Sequence, residues 1–554
     1  MATINFKGKN SVWNHHLSVP YQILEKDKKL SVNGKNEDEN LIIEADNLIA
    51  LKSLLPKYQG KIKCIYIDPP YNTGNENWVF NDKSNSPLIK NWIGKTVGAD
   101  DLTRHDKWLC MMTPRLKLLY ELLDENGLIF ISIDDNELHH LKMLMNEIFV
   151  ENNFVENFIW NNTSTPPSLS KKSRKNVEYV LCYEKNSKLR DLKLYGRESG
   201  NSDAPLINKG NNLVNLTFKK GIINFRIPDG NYKKGTHKAC VVLNDFIVKT
   251  GVNDTEVKLK GEFKWTQKNL DDEIKSGTTF LVKSDKFAIR YERKKDNNGY
   301  ITPDKYIDEI YLNKKAGVGT NEEAKKELNK LFGDNIFDYP KPVSLIHFLI
   351  RTITNKNDVI LDSFAGSGTT AQAVLELNKK DKGDRKFILV QLPEKIEKDK
   401  PAYKAGFRYI HEITRERVKR VIKRDKIDVG FSYMKLGSQI DADSILTGKL
   451  PTYREFAKYV YYLATGKTMD NEKSINEKDY FVGKINGETV YLIYEKDKEK
   501  LKNLAITLEW AEKINRKNSG KKIVYAPACF LDEEYLEKFN IDFVSIPYNL
   551  FEKK

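Results

Sequence analysis

The sequence has few cysteines and no long apolar segment. Its 554 residues include five cysteines, which never occur in Cys-x-x-Cys spacing: Cys64, Cys110, Cys182, Cys240 and Cys529. An odd number of scattered cysteines predicts neither a disulfide framework nor a zinc site, and it indicates a reducing compartment. No run of about 18 apolar residues is found, and the N-terminal residues lack the apolar core of a secretory signal. We therefore expect a cytoplasmic protein without a membrane segment.

The sequence also lacks a complete phosphate-binding loop of the kind that binds nucleoside triphosphates. Two Gly-Lys-Thr triplets, at 94–96 and 466–468, match the end of a phosphate-binding loop. The first glycine of that loop is absent in both cases, because Ile89 and Tyr461 occupy its place. We expect this chain to hydrolyse no ATP by itself.

No metal site is predicted. Asp134, Asp135 and Glu137 stand together, but they follow a predicted strand and precede a predicted helix, where Asp is a good helix cap. His139 and His140 have no partner at ligand spacing and are expected on the surface.

One tetrapeptide carries the strongest chemical signal. Asp68-Pro69-Pro70-Tyr71 follows the apolar run 63–67, which predicts a buried strand. Chemistry on the amino group of a base needs acceptors for its N–H groups, since the nitrogen lone pair is delocalised into the ring. Asp68 and the Pro69 carbonyl can accept those hydrogens, and Tyr71 offers a face on which an extruded base can stack. The alternative is a strand-ending turn, because proline fixes φ and aspartate favours turns.

A second motif lies roughly 300 residues further along the chain. Residues 358–361 predict a buried strand and residues 371–377 a helix, with a glycine turn between them. Such a turn lets a ligand approach the backbone at a helix N-terminus. The third glycine of the dinucleotide fingerprint is missing, so the turn fits the methionine end of S-adenosylmethionine better than NAD. The candidate cofactor residues are Asp362, Phe364, Ala365, Gly366, Ser367, Gly368, Thr369 and, because Gln391 replaces a strand-end carboxylate, Glu394.

The two motifs and the blocks around them resemble the amino-methyltransferases of DNA, in particular the modification (Mod) subunits of type III restriction-modification systems. Matching blocks also lie at 108–116, 127–137, 341–346 and 387–394. The resemblance covers about residues 41–185 and 336–440. In this family, a catalytic tetrapeptide that precedes the cofactor loop defines the β class, and the insert between them is the target-recognition domain. Asp in the first position of the tetrapeptide is the usual form in enzymes that methylate adenine N6.

The resemblance implies an α/β fold with a doubly wound mixed sheet of the S-adenosylmethionine-dependent methyltransferase type. It further implies a β-rich recognition insert and a mixed α/β C-terminal region. The expected parts are an N-terminal arm at 1–40, a catalytic part at 41–160, the insert at 161–335, a cofactor-binding part at 336–397, and a C-terminal region at 398–554 for dimer or partner contact.

Positive charge is concentrated within the proposed insert. The net charge of the chain is +15, and residues 160–240 contain 16 Lys and Arg against 6 Asp and Glu, a net charge of +10. Basic residues among Gly, Asn and Ser are typical of loops that contact phosphates, although a solvated face has the same composition. The candidate DNA contacts are Lys171, Lys172, Arg174, Lys175, Lys219, Lys220 and Arg226. A second basic run, 415–424, predicts an amphipathic helix that either binds DNA or a partner or packs on the catalytic domain.

The predicted activity is methyl transfer from S-adenosylmethionine to adenine N6 in double-stranded DNA. Implied partners are a second copy of the chain and a restriction subunit that carries helicase and nuclease. Alternatives are an orphan adenine or cytosine-N4 methyltransferase and a DNA-recognition subunit of a nuclease or translocase. A protein methyltransferase for glutamine amide is disfavoured, because those enzymes have Asn in place of Asp68 and lack a large basic insert.

Overall fold

A computed structural model describes most of the chain in two compact units, which are residues 1–195 with 303–554, and residues 196–302. The described residues are 2–73, 103–166, 171–189, 193–196, 203–293, 302–307, 317–439, 450–465, 467, 469, 471–485, 487–501 and 503–546. The triplet at 94–96, and residues 466 and 468 of the second triplet, lie outside this set. None of the helices described is long and apolar enough to cross a bilayer.

The larger unit is built on one ten-stranded mixed sheet. Neighbouring strands run parallel from Ser432–Gln439 to Leu123–Ile133. The order across the sheet is Gln22–Lys26, Ser432–Gln439, Leu41–Glu44, Lys386–Gln391, Val359–Asp362, Ile62–Ile67, Leu123–Ile133, Val177–Glu184, Phe154–Asn161 and Tyr306–Ile307.

Both faces of this sheet are covered, as its residue pattern requires. Successive side chains of a strand point to opposite faces. Ile65 and Ile67 accordingly lie in one apolar cluster, while Cys64 and Tyr66 lie in another. The helices of the first cluster are Asn47–Tyr58, Arg104–Leu122 and Leu138–Met145, and those of the second are Val343–Ile353, Thr369–Asp381 and Ile410–Asp425. The doubly wound α/β architecture is thereby confirmed.

Local sequence explains where the key elements end. Helix Arg104–Leu122 begins at a capping box, in which Thr103 and Asp106 each accept the other's backbone N–H. Strand Ile62–Ile67 ends before Pro69 and Pro70, because proline has no N–H to continue the ladder. Additional helical segments of this unit are Asn146–Val150, Glu151–Asn153, Asn321–Phe332 and Pro401–Lys404.

Residues 2–40 are not the arm expected from their polar composition. Strand Gln22–Lys26 pairs antiparallel with Ser432–Gln439 at the sheet edge, after the short helices Lys9–Trp13 and His15–Ser18. Several apolar side chains of this segment are buried, and four of them join the core beside helix Arg104–Leu122: Ile4, Phe6, Val12 and Val19. Sparse apolar residues were enough to anchor the segment.

The methyltransferase sheet continues to residue 439, beyond the predicted boundary at 397, because strand Ser432–Gln439 pairs with Leu41–Glu44. Residues 450–546 then form a separate four-stranded sheet. Two of its strands, Phe481–Ile485 and Glu488–Leu492, form an antiparallel hairpin. The other elements are strands Lys522–Ala526 and Ile541–Ser545, helices Tyr453–Thr465, Lys498–Leu501, Leu508–Lys517 and Glu533–Lys538, and the turns Glu472–Ser474 and Glu477–Asp479.

The smaller unit, Gly196–Thr302, is β-rich, as predicted, but narrower than the expected 161–335. Strand Val177–Glu184 pairs with Leu123–Ile133 in the methyltransferase sheet, which moves the boundary. The described residues of this unit form an apolar core of their own, one helix, Gln267–Lys275, and two sheets. The first sheet consists of Gly230–Tyr232, Phe246–Lys249, Val252–Asn253, Ile223–Phe225, Thr279–Val282, Ile289–Glu292 and Ala204–Pro205, and the second of Gly235–Thr236, Val241–Val242, Val257–Gly261 and Val214–Phe218.

Candidate active site

The two motifs found in the sequence meet at the same edge of the sheet. Strands Ile62–Ile67 and Val359–Asp362 are parallel neighbours, with Ile65 opposite Leu361. Parallel strands direct their carboxyl ends to the same side, and this is where open α/β sheets bind ligands. Asp68 and Asp362 therefore line one cavity of about 490 Å³.

The Asp-Pro-Pro-Tyr loop leaves one carbonyl available. The indole Nε1 of Trp108 donates a hydrogen bond of 2.6 Å to the Pro70 carbonyl. Within the residues described, no donor reaches the carbonyl of Pro69, and Pro69 lines the cavity beside Asp68 and Tyr71. The loop thus presents a carboxylate, a carbonyl and an aromatic ring to a bound molecule.

A buried lysine joins Asp68 to a second carboxylate. The Lys341 Nζ lies 3.0 Å from Oδ1 of Asp68 and 3.2 Å from Oε2 of Glu178. Tyr71 donates its hydroxyl to the same Glu178 oxygen at 2.9 Å, and the ammonium lies 4.8 Å from the centre of the Tyr71 ring. Asn162 donates to the other Glu178 oxygen at 2.8 Å. Lys341 and Glu178 thereby fix the carboxylate and the ring of the tetrapeptide.

Burial and charge act against each other in this network. Burial raises the pKa of Asp68 above its ordinary value, although the Lys341 ammonium opposes the rise. Burial also opposes ionisation of Glu178, but Lys341 and the hydrogen bonds from Asn162 and Tyr71 hold the pKa of Glu178 below its ordinary value. The two carboxylates in turn outweigh the burial of Lys341 and raise its pKa.

The glycine turn has the geometry of a ligand cradle. Gly366 and Gly368 have φ of +52° and +85°, a region that residues with a Cβ seldom adopt. The Gly366 amide donates to Oε1 of Gln391 at 2.7 Å, and Thr414 donates its hydroxyl to the Gly366 carbonyl at 2.6 Å. Helix Thr369–Asp381 starts directly after the turn. A helix N-terminus and tight backbone are therefore held at the cavity wall.

Asp362 stands beneath this turn with both carboxylate oxygens engaged. Its Oδ1 accepts the Phe364 amide at 3.0 Å, and its Oδ2 accepts the Thr370 hydroxyl at 2.5 Å. Burial raises the pKa of Asp362 to about 7, and repulsion from Asp68 adds to the rise while both hydrogen bonds oppose it. Thr370 was not identified from the sequence.

The predicted basic helix is Ile410–Asp425, and it packs on the sheet. Arg417 is fully buried, and its Nη1 donates to the hydroxyls of Ser367 and Thr369 at 2.7 and 2.8 Å. Its Nε donates to Oε1 of Gln372 at 2.8 Å. Burial lowers the pKa of Arg417 to about 10. One member of the basic run therefore supports the cofactor turn from behind.

Among the residues described, one group with metal-ligand chemistry converges: His105, Glu137 and His140. The Nδ1 atoms of His105 and His140 lie 2.7 and 2.8 Å from the buried Glu137 carboxylate, and Asn72 donates to that carboxylate at 2.5 Å. Three hydrogen-bond partners explain why these side chains converge. Glu137 thereby holds Asn72, which follows Tyr71 with φ of +59°. The prediction that His140 lacks a partner is wrong, because Glu137 stands only three residues before it, about one helical turn away. His105 and Asn72 reach the same carboxylate only through the fold.

Most predicted cofactor residues line the cavity, but two do not. Gly368 lies behind the turn against Thr414. Glu394 is also outside the cavity lining, because its carbonyl accepts the Ile410 amide at 3.0 Å and joins this segment to the helix start. Gln391, which stands at the strand-end position where a carboxylate was expected, accepts the Gly366 amide and so holds the turn. The residues that do line the cavity are Asp362, Phe364, Ala365, Gly366, Ser367 and Thr369.

The predicted DNA contacts fall in both units. Lys175 lines the cavity and lies in the larger unit with three other exposed basic residues, Lys171, Lys172 and Arg174. Lys219, Lys220 and Arg226 are exposed on the smaller unit.

Two further buried acceptors line the cavity. In the described structure, Oδ1 of Asn162 and Oδ1 of Asn321 are buried without a hydrogen-bond donor. A buried acceptor without a donor costs free energy unless a ligand or water supplies one. The cavity size is within the range of ligand pockets in proteins, about 300–1,000 Å³. This site is therefore built to receive a polar ligand.

Comparison with known proteins assigns the chain to a family. The model of the N6/N4 DNA methylase family matches residues 62–419. The chain is 33% identical over 457 residues to the Mod subunit of the type III restriction-modification enzyme EcoPI from Escherichia phage P1, covering 76% of this chain and 68% of that protein. It is 31% identical over 479 residues to the StyLTI Mod subunit from Salmonella typhimurium, covering 80% and 69%.

A type II enzyme is similar as well. The chain is 32% identical over 390 residues to the type II methyltransferase M.KpnI from Klebsiella pneumoniae, covering 68% of this chain and 86% of that protein. The family match spans both motifs and the sheet that joins them. The chain therefore belongs to the DNA methylase family.

Proposed function

We propose that the chain transfers the methyl group of S-adenosylmethionine to N6 of adenine in double-stranded DNA, as the modification and specificity subunit of a type III restriction-modification system. The observation that carries the proposal is the shared cavity. It places acceptors for an amino group, Asp68 and the Pro69 carbonyl, beside a glycine turn at the end of the neighbouring strand. The similarity to two Mod subunits over most of the chain supports the type III assignment.

The residues at the turn fit the donor. Gly366, with its left-handed backbone, lets a ligand approach closely, while Ala365 and Ser367 line the cavity on either side of it. Asp362 and Phe364 complete this wall. When bound, S-adenosylmethionine supplies an electrophilic methyl group on a sulfonium.

The protein side of the reaction is positioning. Asp68 and the Pro69 carbonyl accept the two N–H bonds of the amino group and so direct its lone pair away from the ring plane. The base stacks on Tyr71, whose hydroxyl is held by Glu178. Positive charge that develops on N6 is stabilised by Asp68, a charge that Lys341 holds in place at the cavity wall.

The wider assignment has three parts. Exposed basic residues of both units contact DNA, a second copy of the chain pairs with the first, and a separate restriction subunit supplies helicase and nuclease. The chain acts in the cytoplasm. The basic segment 160–240 and the names of the similar Mod subunits support these parts.

The test is methylation by the purified chain alone. Unmethylated plasmid and tritiated S-adenosylmethionine are incubated without ATP or metal, and the DNA is digested to nucleosides for mass spectrometry. We expect N6-methyladenine, formed about 10²–10³ times more slowly by Asp68→Ala. N4-methylcytosine would contradict the base assignment, and an absence of label would contradict the activity.

The division of labour needs a second measurement. With magnesium and ATP added, the lone chain should leave the plasmid uncut. Specific cleavage by the chain alone would contradict a separate restriction subunit. Light scattering at micromolar concentration should give the mass of a dimer, and a monomer mass would contradict pairing.

A further inference from the structure

We propose that Lys341 is a positioning residue that keeps Asp68 ionised, so that Asp68 accepts a hydrogen bond from the amino group of the base. The inference rests on the proposed function and adds two residues to it, Lys341 and its counter-ion Glu178. Neither belongs to the tetrapeptide, and each comes from a different element of the fold.

The geometry connects the lysine to both carboxylates. Lys341 is only 9% exposed and directly precedes Pro342, the residue at the start of helix Val343–Ile353. Its Nζ lies 3.0 Å from Asp68 and 3.2 Å from Glu178, a residue of strand Val177–Glu184. Since the tetrapeptide follows strand Ile62–Ile67, three separate parts of the fold meet at one ammonium group.

Protonation of Asp68 would reverse its role. An ionised carboxylate offers only acceptors, whereas a protonated one presents an O–H donor. The N–H bonds of an amino group need acceptors, and a neutral Asp68 would offer only one uncharged acceptor oxygen beside an O–H donor, so it would bind the amino group more weakly. Lys341 prevents this state, because a cation within about 4–6 Å favours the charged form of a carboxyl group.

Glu178 acts on Asp68 in the opposite direction. A second carboxylate at the same ammonium repels the charge on Asp68 and so raises its pKa, while burial raises it further. Both tyrosines beside Asp68, Tyr66 and Tyr71, stay neutral because burial raises their pKa far above the ordinary value. Other ionisable side chains that line the cavity with Asp68 are Asp134, Asp135, Lys175, Asp338 and Asp362. Removing Lys341 and removing Glu178 should therefore shift the titration of Asp68 in opposite directions.

The test is the pH dependence of kcat for methylation at saturating S-adenosylmethionine. Saturation removes the effect of Asp362, which lies at the donor side of the cavity. Wild type should lose activity as the pH falls and Asp68 takes up a proton. In Lys341→Met the midpoint of this acid limb should rise by about 1 to 3 pH units. In Glu178→Gln it should fall, and in Lys341→Arg it should stay near wild type.

Lys185→Met is the matched control, since Lys185 is another buried lysine, directly after strand Val177–Glu184, but contacts backbone carbonyls of Tyr120 and Leu123 instead of the cavity. Its acid limb should coincide with wild type, and a general loss of stability would appear in this variant as well. If Lys341→Met does not fold, the downward shift in Glu178→Gln decides the question.

Acid limbs that shift in opposite directions in Lys341→Met and Glu178→Gln support the inference. Acid limbs that coincide in wild type, Lys341→Met and Glu178→Gln would overturn it while leaving the methyltransferase assignment intact. A wild-type chain that methylates no adenine at any pH would overturn the proposed function itself.

Discussion

Tyr71 makes two separable contributions at the residue scale. Its hydroxyl donates to Glu178 at 2.9 Å, and its ring faces the cavity. Tyr71→Ala removes the stacking face, a contact of about 1–3 kcal/mol, so kcat/KM should fall roughly 5- to 150-fold. Tyr71→Phe keeps the aromatic face, so its kcat/KM should fall less than that of Tyr71→Ala. Steady-state methylation of unmethylated DNA measures both, and equal losses would place the function of Tyr71 in its hydroxyl.

Asp68 should affect chemistry far more than DNA binding. Asp68→Ala removes one of the two acceptors for the amino group, and losing one preorganised hydrogen-bond partner of a transition state costs about 10²–10³ in kcat. Phosphate contacts dominate DNA affinity, so the Kd of the variant should stay within about tenfold of wild type. Single-turnover methylation and fluorescence anisotropy measure the two quantities. Methylation at the wild-type rate would contradict the catalytic assignment.

The tetrapeptide and the glycine turn could be predicted at this scale, but their supporting residues could not. Asp68 and Gly366 stand in local motifs whose spacing is visible in the chain. Glu178 reaches Lys341 only because strand Val177–Glu184 pairs antiparallel in the methyltransferase sheet. That pairing places side by side residues that are 163 positions apart in the numbering, and no local pattern contains it.

At the scale of elements, helix Ile410–Asp425 combines an expected and an unexpected feature. Its amphipathic pattern was predicted from Ile413, Val418, Val421 and Ile422, of which the first three are buried and Ile422 is partly buried. Arg417 lies four residues after Ile413 and four before Val421, on the apolar side of the helix. The burial of Arg417 could have been predicted from this spacing. It was missed because the neighbouring residues of the run are basic and typical of a solvent-exposed helix face.

Arg417 should stabilise the cofactor turn. Arg417→Met leaves the acceptor atoms of Ser367, Thr369 and Gln372 without their donor, and each unsatisfied buried group costs about 1–3 kcal/mol. We expect a lower melting temperature and weaker binding of S-adenosylmethionine in calorimetry. Lys419→Met is the matched control, since this side chain is 59% exposed and pairs only with Glu416 within the structure described. Equal effects of the two substitutions would contradict an anchoring role for Arg417.

At the scale of the whole molecule, composition located the insert but not its borders. The charge and turn-rich composition begin near residue 161, whereas the compact unit begins at Gly196. The strand between these positions, Val177–Glu184, is apolar and belongs to the sheet, although basic and polar residues precede it. Composition reports solvent exposure and loop content, while a domain border depends on which strands pair.

The difference between the predicted insert, 161–335, and the compact unit, 196–302, can be tested by exchanging each segment. Replacing 196–302 with the corresponding unit of a related enzyme should keep methylation but change the methylated sequence. Replacing 161–335 also removes Glu178 and its strand, so it should abolish activity and lower stability. Sequencing of modified bases and thermal melting measure both results. An unchanged target after the first exchange would place recognition outside the smaller unit.

Charge on the smaller unit should appear in the salt dependence of DNA binding. Lys219, Lys220 and Arg226 are exposed there. If each contacts a phosphate, replacing all three with Gln should flatten the slope of log K against log salt by about 0.9 per contact. Anisotropy titrations between low and moderate salt measure the slope. A slope equal to wild type would show that these residues face away from DNA.

The parallel pairing of Ile62–Ile67 with Val359–Asp362 also has a consequence for synthesis. The two strands are separated by roughly 300 residues, which a ribosome adds in about 15–60 s. During that interval strand Ile62–Ile67 lacks its neighbour Val359–Asp362, and its apolar residues are exposed to chaperones. The smaller unit has a core of its own and is complete earlier, so it should gain protease resistance on the ribosome before the methyltransferase sheet closes.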